Sequence, residues 1–132
     1  MSLNPTIFER IISGEIPCDK IYEDENYFVF IDIKPINLGH TLIIPKKPMD
    51  YIFDLDKATY LGIFELATKI APAIQKATAC VRVGMAVEGF GVPHAHLHLI
   101  PLFKEHEINP ILAHDESPEQ LKEMAEKIKS FL

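Results

Sequence analysis

The sequence is poor in cysteine and has no excess of positive charge. Its two cysteines, Cys18 and Cys80, form no C-x-x-C pair and have no metal-ligand spacing, so we expect neither a disulfide framework nor a zinc ribbon. This cysteine usage is typical of a reducing, cytoplasmic location. Thirteen basic and nineteen acidic residues give a net charge of −6, which argues against a general nucleic-acid partner or a membrane-surface partner.

Long apolar runs are also absent from the sequence. No stretch approaches the roughly 18 consecutive apolar residues of a membrane helix, so we expect no membrane segment. The 132 residues, of which 48% are hydrophobic, fit one compact domain over residues 1–132.

Apolar periodicity and turn residues predict an alternation of helices and strands. Asn4 and Pro5 are typical of the cap and first residue of a short helix. Pro72 interrupts the main helical pattern, so we expect a kink or break near residues 69–71. The predicted elements are a helix from Asn4 to Gly14, strands at 20–23, 27–33 and 40–44, a helix at 57–78, strands at 81–87 and 94–100, and a terminal helix at 117–132. This order predicts an α+β fold built on a mainly antiparallel sheet.

Three histidines alternate with aliphatic residues in a run between two prolines. The run is His94-Ala95-His96-Leu97-His98-Leu99-Ile100. Because side chains alternate between the two faces of a strand, the three imidazoles share one face and the aliphatic side chains share the other. Buried imidazoles need polar partners or a ligand, so a purely structural core face is the weakest interpretation of this run.

A metal site is a second interpretation, since neutral imidazole is a common zinc ligand. A strand rises about 3.3 Å per residue, which places the α-carbons of His94 and His98 about 13 Å apart. Zinc-nitrogen bonds of about 2.0 to 2.1 Å then allow at most two of the histidines, such as His94 and His96, to reach one ion comfortably.

Nucleophilic catalysis by His96 is the third interpretation. The central imidazole could attack an electrophile such as phosphorus while its other nitrogen is held by a fixed acceptor. A backbone carbonyl of the strand could fix its tautomer, and His98 could meet the leaving group. The glycine-bearing loop at 88–92, which includes Gly91, would supply backbone donors for phosphate oxygens.

The histidine run resembles the H-x-H-x-H-apolar-apolar signature of the histidine triad (HIT) family of nucleotide hydrolases and transferases. The resemblance covers most of the chain, and further motifs occur in the family's order. They are Ile7-Phe8, Gly14-Glu15-Ile16-Pro17, Phe30-Ile31-Asp32, Pro35 and Gly39-His40-Thr41-Leu42-Ile43-Ile44-Pro45-Lys46-Lys47. The implied fold is a five-stranded, mainly antiparallel sheet with one long helix and short terminal helices. The implied assembly is a homodimer, paired through that helix and an edge strand.

The resemblance also implies roles for individual residues. His96 would attack the α-phosphate of a nucleotide and form a covalent nucleotidyl-histidine, with His94 aligning it. His98 would contact the phosphate and the leaving group, His40 would support the triad, and Asp32 would bind the ribose hydroxyls. The residues implied to enclose the base are Ile7, Phe8, Ile11, Phe30 and Ile33. The implied substrate is a purine nucleotide, from which AMP or another nucleoside monophosphate is cleaved out of a phosphoramidate or phosphoanhydride. No metal or other cofactor is required by this mechanism.

The chain departs from the family pattern in two places. Many bacterial members bind zinc through a C-x-x-C pair and a histidine after P-K-K, but those positions hold Thr6, Glu9 and Pro48, so no structural zinc is expected. The segment 87–93 lacks the glutamine, serine and threonine that hold phosphate in other members. Three alternatives stay open: a dinucleoside polyphosphate hydrolase, a nucleotide-binding or regulatory protein with weak catalysis, and a metal-binding protein.

Overall fold

Five strands and three helices make up the computed structural model, which describes residues 4–132. In chain order the elements are α1 (Ile7–Ile12), β1 (Lys20–Glu23), β2 (Tyr27–Ile31), β3 (Thr41–Pro45), a 3₁₀ turn (Ile52–Asp54), α2 (Lys57–Thr78), β4 (Arg82–Ala86), β5 (Leu97–Leu102), a second 3₁₀ turn (Pro110–Leu112) and α3 (Pro118–Lys129). The strands lie in the order β1-β2-β3-β5-β4, and every neighbouring pair is antiparallel. The predicted α+β class and the five-stranded antiparallel sheet with one long helix are confirmed.

The two faces of the sheet are covered by helices of very different length. Val29 and Leu97 lie on the face that packs against α2 and α3 in the main buried cluster. Phe28 and Phe30 lie on the opposite face and pack against Phe8 of α1. Helix α1 has six residues against 22 in α2, and six residues span only about 9 Å. The α1 face is therefore covered at one end only, which leaves room for a cleft beside it.

Helix α2 runs without interruption through Pro72, so the break expected near residues 69–71 is wrong. A proline removes one helical hydrogen bond, which leaves the carbonyl of the residue four positions earlier, Thr68, without its usual donor. Both Thr68 and Pro72 are exposed, so water can satisfy that carbonyl. The helix begins at the Asp56 cap, whose side chain accepts from the amide of Thr59, and the predicted bounds of the helix are confirmed.

The ends of the two short helices differ from the sequence-based prediction. Thr6, rather than Asn4, caps α1, because Thr6 and Glu9 form a capping box in which each side chain accepts from the other residue's amide. Ser117 caps α3, but this helix ends at Lys129, three residues before its predicted end. Leu132, beyond that end, is 51% exposed.

Strand β5 begins three residues later than predicted, at Leu97, so the first two histidines of the run precede the strand. The β3–β5 register pairs Ile43 with Leu97, and continuing it would place Pro45 opposite Ala95. Proline has no amide hydrogen and cannot donate to a ladder at that point. The Ala95 amide instead donates to the carbonyl of Met49 at 2.7 Å.

Strand β2 ends at Ile31, two residues before its predicted end. The Asp32 carboxylate accepts from the amide of Lys34 at 2.9 Å, which starts a turn directly after the strand. Asp32 therefore lies at the strand end rather than inside the strand.

Cys18 is half-buried and Cys80 is buried, and both are free thiols. Between residues 4 and 132 no helix combines the length and the apolar character that crossing a membrane would need.

Gly62 is predicted to be essential for the packing of α2 on β2. A Cβ atom at this position would overlap the hydroxyl of Tyr27, which donates to the carbonyl of Thr59 at 3.0 Å. Gly62→Ala should lower the free energy of unfolding by about 1 to 3 kcal/mol, because the tyrosine ring must move and lose its hydrogen bond. Urea unfolding measures this change. Gly91→Ala is the control, since no atom lies within 4 Å of a Cβ there; equal stabilities of the two variants would contradict the packing argument.

Candidate active site

A cleft of about 230 Å³ opens on the sheet face opposite α2. Its floor contains Asp32, His40, His96 and His98, which come from the ends of β2, β3 and β5. One wall is the loop that follows β4, and the other is the segment around the second 3₁₀ turn. The remaining lining residues are Lys34, Ile36, Ala86, Glu88, Gly89, Phe90, Gly91, Ile100, Ile108, Pro110 and Ala113. The structure thus brings four predicted catalytic or ribose-binding side chains and Gly91 together.

His94 is fully buried behind the cleft and does not line it. Its Nε2 lies 2.7 Å from the carbonyl of Pro45, which can only accept, so Nε2 carries the proton. Its Nδ1 lies 3.5 Å from the hydroxyl of Thr6, and its ring contacts the Phe8 ring edge-on. Burial lowers the pKa of His94, which favours the neutral ring. His94 therefore holds a fixed orientation and tautomer.

His96 has one engaged nitrogen and one free nitrogen. Its Nδ1 lies 2.7 Å from the carbonyl of His94, so in the neutral ring the proton is on Nδ1 and the lone pair is on Nε2. No hydrogen bond within residues 4–132 engages Nε2, and His96 lines the cleft although only 6% of it is exposed. The Phe8 ring contacts the imidazole edge-on, with 5.0 Å between centroids. His96 thus directs an unprotonated nitrogen to the cleft from an otherwise fixed ring.

His40 fixes the tautomer of His98. The amide of Ile36 donates to His40 Nδ1 at 3.1 Å, so neutral His40 carries its proton on Nε2. That Nε2 lies 2.9 Å from His98 Nδ1, which must accept and leaves the His98 proton on Nε2. Burial, followed by the nearby His98 charge, lowers the pKa of His40 to about 3. Burial, followed by the His96 charge, lowers the pKa of His98 to about 4, so both rings are neutral near pH 7.

Asp32 lies beside this pair, with Oδ2 3.6 Å from His40 Nε2. Because the pKa of His40 is far below 7, this contact is not an ion pair at neutral pH. Burial raises the pKa of the Asp32 carboxyl, although the hydrogen bond from the Lys34 amide opposes that effect.

Asp32, His40 and His98 place three potential metal ligands within 4.8 Å of one another. A neutral histidine that binds a metal through one nitrogen normally donates from the other nitrogen. His40 cannot do so, because its Nδ1 already accepts from the Ile36 amide. In the alternative pair of His94 and His96, His94 is fully buried and does not line the cleft, and its second nitrogen, Nδ1, lies 3.5 Å from the hydroxyl of Thr6. Asp32, His40 and His98 as placed do not fit a metal ion.

The base-enclosing residues implied by the resemblance divide into two groups, and none of them lines the cleft. Phe8, Ile11 and Phe30 are buried together in the apolar cluster between α1 and the sheet. Ile7 and Ile33 are 48% and 66% exposed. Phe8 nevertheless contacts the rings of both His94 and His96, which places this cluster directly beside the triad.

Several lining residues were missed by sequence reasoning. They are Lys34, Ile36, Ala86, Ile100, Ile108, Pro110 and Ala113. Most of them come from irregular segments with no periodicity, so the sequence carries no local signal that they meet at one site. Thr6 was also missed as a neighbour of His94; the Thr6-x-x-Glu9 capping pattern could have located the helix start, but not this contact.

Known proteins share the sequence pattern and the fold of this chain. A family model described as the HIT domain matches residues 13–105. The chain is 32% identical to adenosine 5'-monophosphoramidase hnt1 of Schizosaccharomyces pombe, over 94% of this chain and 96% of that protein. The structure of a Hit-like protein from Bartonella henselae superposes with a TM-score of 0.86 at 34% identity, covering 98% and 97% of the two chains. A zinc-bound histidine triad family protein from Mycobacterium smegmatis gives a TM-score of 0.80 at 28% identity, covering 95% of this chain and 91% of that one.

The neutral His40–His98 pair predicts that the folded state weakens in acid. In the unfolded chain these rings take up protons near their ordinary pKa of 6.5, whereas in the fold their pKa values are about 3 and 4. Between these limits the unfolded state binds more protons, so the free energy of unfolding should fall as the pH falls. The slope is at most about 1.4 kcal/mol per pH unit for each ring.

Urea unfolding between about pH 7 and pH 4.5 measures this slope for the protein and two variants. His40→Asn should flatten it, since one of the two neutral rings is gone. His106→Asn is the control, because that side chain is 93% exposed and its φ of 66° suits asparagine. An unchanged slope in His40→Asn would show that the pair does not carry the acid sensitivity.

Proposed function

Since the chain belongs to the histidine triad (HIT) family, we propose that it is a hydrolase or transferase that cleaves a nucleoside monophosphate from a phosphoramidate or phosphoanhydride. The observation that carries the proposal is the pair of complementary nitrogens in the cleft. His96 Nε2 offers a lone pair and His98 Nε2 offers a proton, and the two ring centroids are 5.0 Å apart. A nucleophile beside a hydrogen-bond donor suits displacement at phosphorus.

The first step would form a bond between His96 Nε2 and the α-phosphorus of the nucleotide. The bond from phosphorus to the leaving group breaks, and its electron pair goes to the leaving atom. That atom accepts a hydrogen bond from His98 Nε2 and takes up a proton from water. The Nδ1–H of the phosphorylated His96 ring remains bonded to the carbonyl of His94, which stabilises the positive charge on the ring.

The second step would release the nucleoside monophosphate. Water attacks the phosphorus, the bond to His96 breaks, and its electron pair returns to Nε2. The proton lost by the water passes to solvent. His96 is neutral again, with its proton on Nδ1, and His98 has kept its proton on Nε2 throughout. The S. pombe relative, a phosphoramidase by name, supports AMP as the transferred group and a phosphoramidate as the substrate.

Phosphate oxygens would be bound mainly by backbone amides. The loop after β4 has no serine, threonine or glutamine, but Gly89, Phe90 and Gly91 line the cleft. Within the described chain, no hydrogen bond uses the amides of these three residues. Three amides without a hydrogen bond, on residues that line the same cleft as His98, are suitable donors for a phosphate group.

The short loop also favours the alternative of a nucleotide-binding protein with weak catalysis. The two candidates differ in whether a covalent intermediate forms. Nucleotide binding without an adduct on His96 would favour the alternative.

We also propose that a second copy of the chain pairs with β4. The other edge strand, β1, carries the ion-paired Lys20 and Glu23, which discourage strand addition. Strand β4 exposes Met85, which is 54% exposed and lies in an apolar groove beside α2. An exposed edge strand beside an apolar helix face suits a two-fold, self-complementary interface.

His96→Ala should lower kcat/KM for adenosine phosphoramidate by at least about 10³-fold, because the variant has no nucleophile. Release of AMP measures turnover, and the intact mass of the protein after brief mixing reports the added nucleotide. His106→Asn, which changes an exposed histidine outside the cleft, should keep both activity and adduct. Full turnover by His96→Ala, or an adduct that persists in it, would remove His96 as the nucleophile.

Met85→Glu should convert a dimer into a monomer, because it places a charge in the proposed apolar interface. Sedimentation velocity measures the change. Ile111→Glu is the matched control, since Ile111 is 82% exposed on the second 3₁₀ turn and does not line the groove that contains Met85. A monomeric parent protein, or a dimer that tolerates Met85→Glu, would contradict this interface.

A further inference from the structure

Three residues on the floor of the cleft follow one another in the direction of β5. His96, His98 and Ile100 share one face because they are two residues apart, and consecutive members lie about 6.6 Å apart. The proposed leaving-group contact, His98, therefore lies between the nucleophile and Ile100. A leaving group that departs from His96 past His98 extends toward Ile100.

The end of the cleft near Ile100 is lined by apolar side chains. Ile100 pairs with Gly84 across the β4–β5 ladder, and a Cβ on Gly84 would lie 2.8 Å from Ile108 Cδ1. Ile108 thus lies at the Ile100 end of the floor. We define the apolar wall as Ile36, Ile100, Ile108, Pro110 and Ala113, all of which line the cleft.

The apolar wall is held in place by a buried carboxylate. Glu107, which is only 8% exposed, accepts from the amides of Phe103 and Lys104 and from the side chain of Asn37. The amide of His114 donates to the carbonyl of Pro35 at 3.1 Å, which ties the far end of the segment to the turn that carries Ile36. These hydrogen bonds therefore hold the apolar wall in a defined position.

The charged side chains at the cleft do not favour a leaving group that carries further phosphates. Apart from Asp32 and the histidines, the charged side chains that line it are Lys34 and Glu88, which have opposite signs. Lys34 also lies 3.7 Å from Asp115. Polyphosphate binding normally uses several cations, and Glu88 would repel a further anion.

We infer that the apolar wall binds the leaving group, and that the preferred leaving group is an amine carrying an aromatic or branched aliphatic substituent. This inference rests on the proposed function and adds its substrate class. An apolar substituent gains from burial against the wall, whereas a charged one would be desolvated without a partner. The chemistry at phosphorus is the same for every leaving group, so the wall changes selectivity and not the nucleophile.

Three adenosine phosphoramidates of one series test the inference: the unsubstituted compound, the phenethylamine derivative and the β-alanine derivative. For the parent protein, kcat/KM should be highest for the phenethyl compound and lowest for the carboxylate compound. Ile108→Ala should lower the ratio of phenethyl to unsubstituted kcat/KM by about tenfold, since it removes apolar contact from the substituent alone. Ile111→Ala, outside the cleft, should leave the ratio unchanged.

A second variant distinguishes a change in leaving-group selectivity from a loss of stability. Ile108→Lys should raise the ratio of carboxylate to phenethyl kcat/KM, which loss of stability alone would not do. Equal selectivity in the parent, Ile108→Ala and Ile108→Lys proteins would overturn the inference while turnover of the unsubstituted compound upheld the proposed function. If the parent protein turned over none of the three compounds, that result would contradict the proposed function and this inference together.

Discussion

Pro45 has no amide hydrogen, and this missing donor determines where the ladder between β3 and β5 can begin. Pairing stops at Ile43 and Leu97, so the chain carrying His94 and His96 lies outside the ladder. The carbonyl of Pro45 then accepts from His94 Nε2, and the carbonyl of His94 accepts from His96 Nδ1. A regular strand would have used backbone groups here for pairing. The geometry of His96, the proposed nucleophile, therefore depends on a proline at the end of the neighbouring strand.

Backbone groups of fixed polarity set the tautomers of all four site histidines. Carbonyl oxygens accept from His94 and His96, while the Ile36 amide donates to His40, whose ring then orients His98. Each imidazole can either donate or accept, but a carbonyl only accepts and an amide only donates. Burial keeps His40 and His98 neutral, and this neutrality is what lets a ring nitrogen serve as an acceptor inside the network. Two ring nitrogens then have no partner within the network: His96 Nε2, which has a lone pair, and His98 Nε2, which has a proton.

The sequence predicts the regular elements of this fold well, because apolar periodicity and caps are local signals. The bounds of β1 and α2 are as expected, and the alternation after Pro93 correctly places Ala95, Leu97 and Leu99 in the core and the histidines on the other side. Local signals gave the wrong element boundaries where the tertiary environment determines them. The exposed position of Pro72, where solvent can reach the carbonyl of Thr68, permits an unbroken helix, and the proline at the end of β3 delays the start of β5.

The site itself was only partly predictable. The resemblance named His40 and Asp32, but the amide of Ile36 that fixes His40 follows from a turn with no sequence pattern. The apolar wall combines residues from positions 36 to 113, and long-range contacts of this kind are not encoded in local periodicity.

The central claim, that backbone contacts fix one nitrogen of His96 as a lone pair and one nitrogen of His98 as a donor, is directly measurable. Nitrogen-15 NMR of the histidine side chains at about pH 8 distinguishes the two neutral tautomers of each ring. We predict the Nδ1–H tautomer for His96 and the Nε2–H tautomer for His98. A His96 ring that carries its proton on Nε2 would contradict the central claim, because no lone pair would then face the cleft.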